Sequence, residues 1–209
     1  MVEPLRASGI VDEGLRAALP APTAALTVSV VENLRILALR FLPGGRAAVE
    51  ASLVEHGGVP LPSPGECLGA DPWQVWTGPT ECLLLVSNRA VADGVMQSLA
   101  PGRAPLACAV DRSDGCVVFD LAGPGDADLL PRLLDASAIP QQVGRGHRTR
   151  CLDIGAVLLR VAPDRVLLVV DRMHGLYVAQ WIGHTLQAAV DDAASFPGAP
   201  AAEGPAQAR

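Results

Sequence analysis

Three aspartates within ten positions, Asp111, Asp114 and Asp120, come nearest in type and spacing to acid–base chemistry. Two carboxylates can act as acid and base when one cleft holds them in different protonation states. Asp114, however, precedes Gly115, a pair suited to a tight hairpin turn, and all three lie at the ends of apolar runs, where carboxylates are solvated. The four histidines, His56, His147, His174 and His184, include no i, i+4 pair and have no Cys or carboxylate at a ligand spacing. Ten residues separate His174 from His184, about three helical turns and too far for one ion. The five cysteines, Cys67, Cys82, Cys108, Cys116 and Cys151, form no C-x-x-C motif; three lie in apolar runs, so they read as buried structural thiols. Gly123-Pro124-Gly125 is the one candidate phosphate loop. It lacks a third glycine in dinucleotide-binding register and the Gly-Lys-Ser/Thr of a P-loop, and reads as a helix start. With no Gly-x-Ser-x-Gly elbow either, no catalytic residue, cofactor site or metal site is assigned to this chain.

The elements that would position such residues follow from composition and pattern. The 209 residues are 50% hydrophobic and 18% charged, the profile of one folded domain, and only 3% are aromatic. A core of small aliphatic side chains follows, best met by sheets covered with Ala-rich helices. All sixteen basic residues are arginine. A net charge of -6 and the absence of a dense basic stretch exclude a nucleic-acid surface; the Arg-rich segment 145–150 is expected to be a solvated loop or a partner contact. No apolar run reaches the roughly 20 residues needed to span a bilayer. Charges through the first nineteen residues exclude a signal peptide, and an odd number of cysteines fits a reducing cytoplasm. The protein is therefore expected to be cytoplasmic.

Residues 1–24, ending in Leu19-Pro20-Ala21-Pro22, and 193–209, rich in Pro, Ala and Gly, are expected to be a loose arm and a disordered tail around one domain, 25–192. Within the domain, the run 34–41 reads as a strand stopped by Pro43-Gly44-Gly45, followed by a helix over 46–55. Strands at 73–76 and 82–86 flank Gly78-Pro79 as a hairpin, and Asn88 caps a helix to Leu99. Runs 106–110 and 116–121 flank Ser113-Asp114-Gly115 as a second hairpin. A helix over 126–134, strands at 149–152, 156–161 and 166–170 and a last helix over 173–192 complete an α+β fold with mainly antiparallel sheets. Trp73 and Trp76 are an odd number apart and must point to opposite faces. Tyr177 and Trp181, four apart on the last helix, form one aromatic ridge assigned to the core.

Several segments in fixed order resemble the gamma subunit family of heterotetrameric sarcosine oxidase, itself related to the aminomethyltransferase (glycine-cleavage T protein) fold. Trp76-Thr77-Gly78-Pro79-Thr80-Glu81-Cys82-Leu83-Leu84 is similar to the family's W-x-G-P-x-E-W-L-L. Ala109-Val110-Asp111-Arg112-Ser113 and Phe119-Asp120-Leu121-Ala122-Gly123-Pro124 resemble its V-x-D-x-S and R-x-x-G-P. Arg150, Val157-Leu158-Leu159, Val169-Val170-Asp171-Arg172 and Trp181-Ile182 parallel its C-terminal succession. The family's second tryptophan is Cys82 here, and its K-G-C-x-x-D-L stretch is replaced by Leu134-Asp135-Ala136-Ser137-Ala138-Ile139-Pro140.

The resemblance implies a non-catalytic structural or assembly subunit of a flavin-dependent oxidase of sarcosine or another secondary or N-methyl amine. FAD, FMN, NAD and tetrahydrofolate are then held by the alpha, beta and delta partner subunits, and this chain binds none of them. The expected partner-facing residues are Trp73, Trp76 and Glu81 of the first hairpin and Arg145, Arg148 and Arg150 of the arginine segment. The alternative is a stand-alone, folate-binding aminomethyltransferase-like protein that would set Asp111 or Asp120 against the pterin.

Overall fold

In the computed structural model, residues 13–195 are described. The helices are α1 (Glu13–Ala18), α2 (Arg46–Gly57), α3 (Arg89–Ser98), α4 (Asp126–Leu133) and α5 (Gly175–Ser195). The strands are β1 (Thr27–Val30), β2 (Arg35–Phe41), β3 (Cys67–Leu68), β4 (Trp73–Gly78), β5 (Glu81–Val86), β6 (Ala107–Asp111), β7 (Cys116–Ala122), β8 (Arg145–Cys151), β9 (Ile154–Ala162) and β10 (Arg165–Asp171). They form two five-stranded antiparallel sheets, ordered β1-β7-β10-β9-β8 and β3-β4-β5-β2-β6. The α+β class expected from the sequence is the one observed.

The sheets lie face to face with helices outside, and the parity of each strand shows how. In β10, Val166, Leu168 and Val170 pack with Leu15 of α1, Leu129 and Leu130 of α4, and Val178 and Ile182 of α5. Its alternate residues, Leu167 and Val169, pack with Ile36, Ala38, Leu83 and Leu85 of the other sheet. Leu37 and Leu39 of β2 and Leu84 and Val86 of β5 turn to the second helical layer, against Val49 and Leu53 of α2 and Ala92 and Val95 of α3. A strand buried on both faces needs apolar residues at every position. That is why runs such as Val166-Leu167-Leu168-Val169-Val170 are continuous rather than alternating.

The first hairpin forms as expected, with Trp73 opposite Leu85 and Trp76 opposite Cys82. The Asn88 side chain caps α3 by accepting from the Ala90 N–H at 3.0 Å. The second expected hairpin does not form: β6 pairs with β2, while β7 pairs with β1 and β10. Ser113–Gly115 is a 3-10 turn that carries the chain from one sheet to the other. The Asp111 carboxylate accepts from the Ser113 N–H at 2.9 Å and lies 2.6 Å from its hydroxyl oxygen, while that oxygen accepts from the Ile36 N–H at 3.0 Å. The corner is thus tied to β2 and cannot close as a two-residue turn.

Further expectations change. Residues 145–150 are not a loop but most of β8, paired residue for residue with β9. Residues 13–18 of the expected arm are helix α1, with Leu15 buried against α5, whereas residues 1–12 lie outside the described residues. The expected tail overlaps the end of α5 at 193–195, and its remainder, 196–209, lies outside the described residues. Tyr177 and Trp181 stand half-exposed in an edge-to-face pair with ring centres 6.4 Å apart, because α5 buries the smaller Val178, Ala179 and Ile182 instead. No described helix is long and apolar enough to cross a membrane.

Candidate interface and inter-sheet cleft

Of the six residues expected to face a partner, two meet. Arg148 of β8 donates to the Glu81 carboxylate at 2.6 Å, and Arg40, the cross-strand neighbour of Glu81, donates to the other carboxylate oxygen at 2.6 Å. The Thr77 hydroxyl lies 3.1 Å from the Glu81 carbonyl oxygen and 3.2 Å from its carboxylate. The local sequence explains the placement. Glu81 shares a strand face with Leu83 and Leu85, so it points between the sheets, and Arg148 shares a face with Gly146, which lies on β4. A Cβ at Gly146 would stand 2.8 Å from Val75 Cγ2 and 2.9 Å from the Leu158 carbonyl oxygen. Only glycine lets β8 approach this closely.

Burial pushes the Glu81 carboxyl up, but the Arg40 hydrogen bond, the charges of Arg148 and Arg40 and the Thr77 hydroxyl outweigh it, leaving the group below its ordinary range. Arg112 donates to Asp171 at 2.8 Å farther along the same opening. Between the two pairs lies a cleft of about 180 Å³. Its apolar floor includes Ala38, Leu83, Val157 and Val169, and its rim is formed by Glu81, Arg148, Arg112 and Asp171. Each carboxylate on that rim already accepts from a guanidinium, so the arrangement clamps two sheets together.

The remaining expected interface residues are distributed. Trp73 is partly buried against the inter-sheet core, and Trp76 is half-buried on the opposite face of β4, as their odd spacing requires. Arg145 is exposed, and Arg150 is exposed with its guanidinium donating to the Asp153 carbonyl at 2.9 Å.

The two aspartates of the folate-binding alternative are also engaged. Asp111 accepts from Arg35 at 2.6 Å as well as from Ser113. Burial raises its carboxyl, yet Ser113 and Arg35 together hold it below the usual carboxylate range. Asp120 is gripped by Arg165, whose Nε and Nη2 donate at 2.9 and 2.7 Å, and that hydrogen bond raises the Arg165 guanidinium further.

Sequence reasoning missed Arg160, in the apolar strand β9. It donates to buried Asp126 at 2.8 Å and to the carbonyls of Pro140 and Pro163 at 2.5 and 2.8 Å, tying the start of α4 to its sheet. The available signal was a lone arginine inside Val157-Leu158-Leu159-Arg160-Val161, since a charge in a buried strand needs a partner. Among the described residues, no group of three or more His, Cys, Asp or Glu side chains is gathered as a metal site. Burial pushes the Cys67 and Cys82 thiols up to about 12 and Cys151 up to about 11. Cys108 departs from the expectation of buried thiols and is exposed on edge strand β6.

Two antiparallel sheets with helices on their outer faces define an α+β protein with an aminomethyltransferase-like fold. The solved structures narrow the comparison. A chain of the heterotetrameric sarcosine oxidase from Corynebacterium sp. U-96, solved in complex with pyrrole 2-carboxylate, superposes with a TM-score of 0.70 at 26% identity, covering 90% of this chain and 93% of that one. The glycine cleavage system aminomethyltransferase T from Bartonella henselae superposes with a TM-score of 0.53 at 13% identity, covering 80% of this chain and 47% of that one, a likeness of fold alone. No sequence-family profile and no curated protein matches the chain.

Proposed function

We propose that this chain is the gamma-type, non-catalytic subunit of a heterotetrameric, flavin-dependent oxidase of sarcosine or a related secondary or N-methyl amine, acting in the cytoplasm. Its role is structural: it assembles with alpha, beta and delta partners that hold FAD, FMN, NAD and tetrahydrofolate. The observation that carries this reading is the end-to-end match to one chain of a heterotetrameric sarcosine oxidase, covering nine-tenths of both chains. The ion-paired state of Asp111 and Asp120 weighs against the stand-alone folate enzyme, which needs a carboxylate able to address a pterin. Of the expected partner contacts, Arg145, Arg148 and Arg150 are exposed, Trp73 and Trp76 are each half-buried, and the Glu81 side chain is mostly covered by its ion pairs.

The test is affinity purification of the tagged chain from its native host, with an absorption spectrum and a sarcosine-dependent peroxide assay on the eluate. Flavin-bearing partners with turnover support the reading. A colourless, solitary protein that binds tetrahydrofolate overturns it.

A further inference from the structure

The outward face of α5 differs from every other described helix longer than two turns. α2 exposes Arg46 and Glu55, α3 exposes Arg89 and Asp93, and α4 exposes Asp128 and Arg132. Over residues 173–188 of α5 and the turn before it, Met173, Leu176, Tyr177 and Trp181 are exposed, and no exposed position is Asp, Glu or Arg. None of the chain's 38 charged side chains is among the exposed positions over residues 173–188. Met173 is 81% exposed, and Leu176, Tyr177 and Trp181 are 43%, 42% and 45% exposed. Side chains of this size offer on the order of 150–250 Å² each, so the four present about 400 Å² of contiguous apolar surface. That is about half of the ~800 Å² each partner contributes to a standard interface, in a region where a monomer gains nothing from aromatic exposure.

Beside the ridge is a cavity of about 360 Å³, whose apolar wall includes Met173, Leu176, Leu15 of α1 and Ile36 of β2, and whose polar wall includes Glu32, Asn33, Ser113 and Arg172. Its size is at the small end of ligand-sized pockets, suited to one bulky anchor side chain. An aromatic ridge next to a cavity with a partly apolar wall is the arrangement in which a few buried residues carry most of an interface's energy. The ridge itself carries no charge, so the part of the partner that covers Met173, Leu176, Tyr177 and Trp181 must be apolar, because a charge seated on those side chains would lose its hydration without compensation.

We propose that the Met173–Leu176–Tyr177–Trp181 face and its adjoining cavity form the docking site for a flavin-bearing partner subunit, which lays an apolar segment on the ridge and seats one side chain in the cavity. The inference rests on the subunit reading above and adds the surface through which assembly occurs, distinct from β8.

The test uses the full tagged chain in its native host in four forms: unaltered, Met173→Glu, Trp181→Glu, and Arg89→Glu, exposed on α3, as the control. Each is first shown to be folded by circular dichroism and thermal unfolding; Met173→Glu, at the most exposed position, keeps the test valid if Trp181→Glu unfolds. The unaltered chain and the Arg89→Glu control are expected to recover the flavin-bearing subunit, identified by flavin absorption and peptide masses. Met173→Glu and Trp181→Glu should each reduce that recovery about tenfold or more, and amide exchange across residues 173–184 should slow in the complex. Full recovery by both α5 variants with unchanged exchange overturns the inference and leaves the subunit reading standing. Absence of any flavin-bearing partner for the unaltered chain overturns both. A dimer of the isolated chain that Trp181→Glu abolishes assigns the face to a second copy and overturns the assignment to a partner.

Discussion

Arg148 and Glu81 are 67 residues apart in sequence and 2.6 Å apart in space, an ion pair that crosses from one sheet to the other. With Arg40 on the second carboxylate oxygen, Glu81 holds two guanidiniums from opposite layers. Both arginines are about half-exposed, so solvent screens them. Glu81→Gln is therefore expected to destabilise the protein by about 1–2 kcal/mol and Arg148→Ala by about 0.5 kcal/mol, measured by urea unfolding. Equal, negligible effects from both would show that the sheets are held by apolar packing alone.

The same carboxylate sets a pH dependence. Its folded-state value is depressed, so at acid pH the unfolded chain binds the proton more readily than the folded one. The stability contributed by Glu81 is present above the ordinary glutamate value of 4.5 and is lost as pH falls through the lower folded value. Asp111, depressed in the same direction, loses its contribution in the acid range below 3.8. Thermal unfolding between pH 7 and pH 3 should show a midpoint falling steeply at the acid end, and Glu81→Gln should flatten the slope.

Arg160 and Asp126 form a buried pair at 2.8 Å, and removing one partner leaves the other charge without compensation. Arg160→Met is expected to cost about 3–5 kcal/mol. Adding Asp126→Leu should restore part of that loss, though not all, because the Pro140 and Pro163 carbonyls lose their donor in both variants. A double-mutant cycle by denaturant unfolding gives the coupling; additive losses would contradict the pairing.

Gly146 and Gly155 lie in adjacent strands but in different surroundings. A Cβ at Gly146 meets Val75 and the β9 backbone below 3 Å, whereas one at Gly155 meets nothing within 4 Å. Gly146→Val should lower stability by about 2–4 kcal/mol and loosen the Glu81–Arg148 contact, while Gly155→Ala should change it by about 0.5 kcal/mol or less. Melting temperatures of the two variants check the contrast.

A thiol-reactive reagent at neutral pH should label the free chain at Cys108 first. Cys67, Cys82 and Cys151 are buried, with thiols pushed up to about 12, 12 and 11, and burial also raises half-buried Cys116. Peptide mapping after brief labelling should find one modified site, and labelling of all five only after unfolding.

Much of this architecture can be read from local pattern. The continuous apolar runs become strands, Gly78-Pro79 lies at the hairpin turn, and Asn88 caps α3 because its side chain reaches a nearby N–H without help from the rest of the fold. The opposed faces of Trp73 and Trp76 follow from the two-residue period of a strand. Those features depend on contacts a few residues apart, which sequence spacing specifies.

Tertiary structure decided the rest. The Asp-Gly pair at 114–115 suits a hairpin, yet Ser113 binds both Asp111 and the Ile36 N–H, and the chain crosses to the second sheet. Segment 145–150 becomes a strand because β9 offers a paired edge and Gly146 allows close approach to β4. Partnerships such as Arg160 with Asp126 join residues 34 apart, and no local spacing encodes them. Whether Tyr177 and Trp181 face the core or the solvent depends on which stripe of α5 the sheet accepts, and the sheet accepts the small side chains. Local periodicity thus determined which segments are helix and strand, while burial, a property of how distant segments stack, determined which side chains were left to meet one another or a partner.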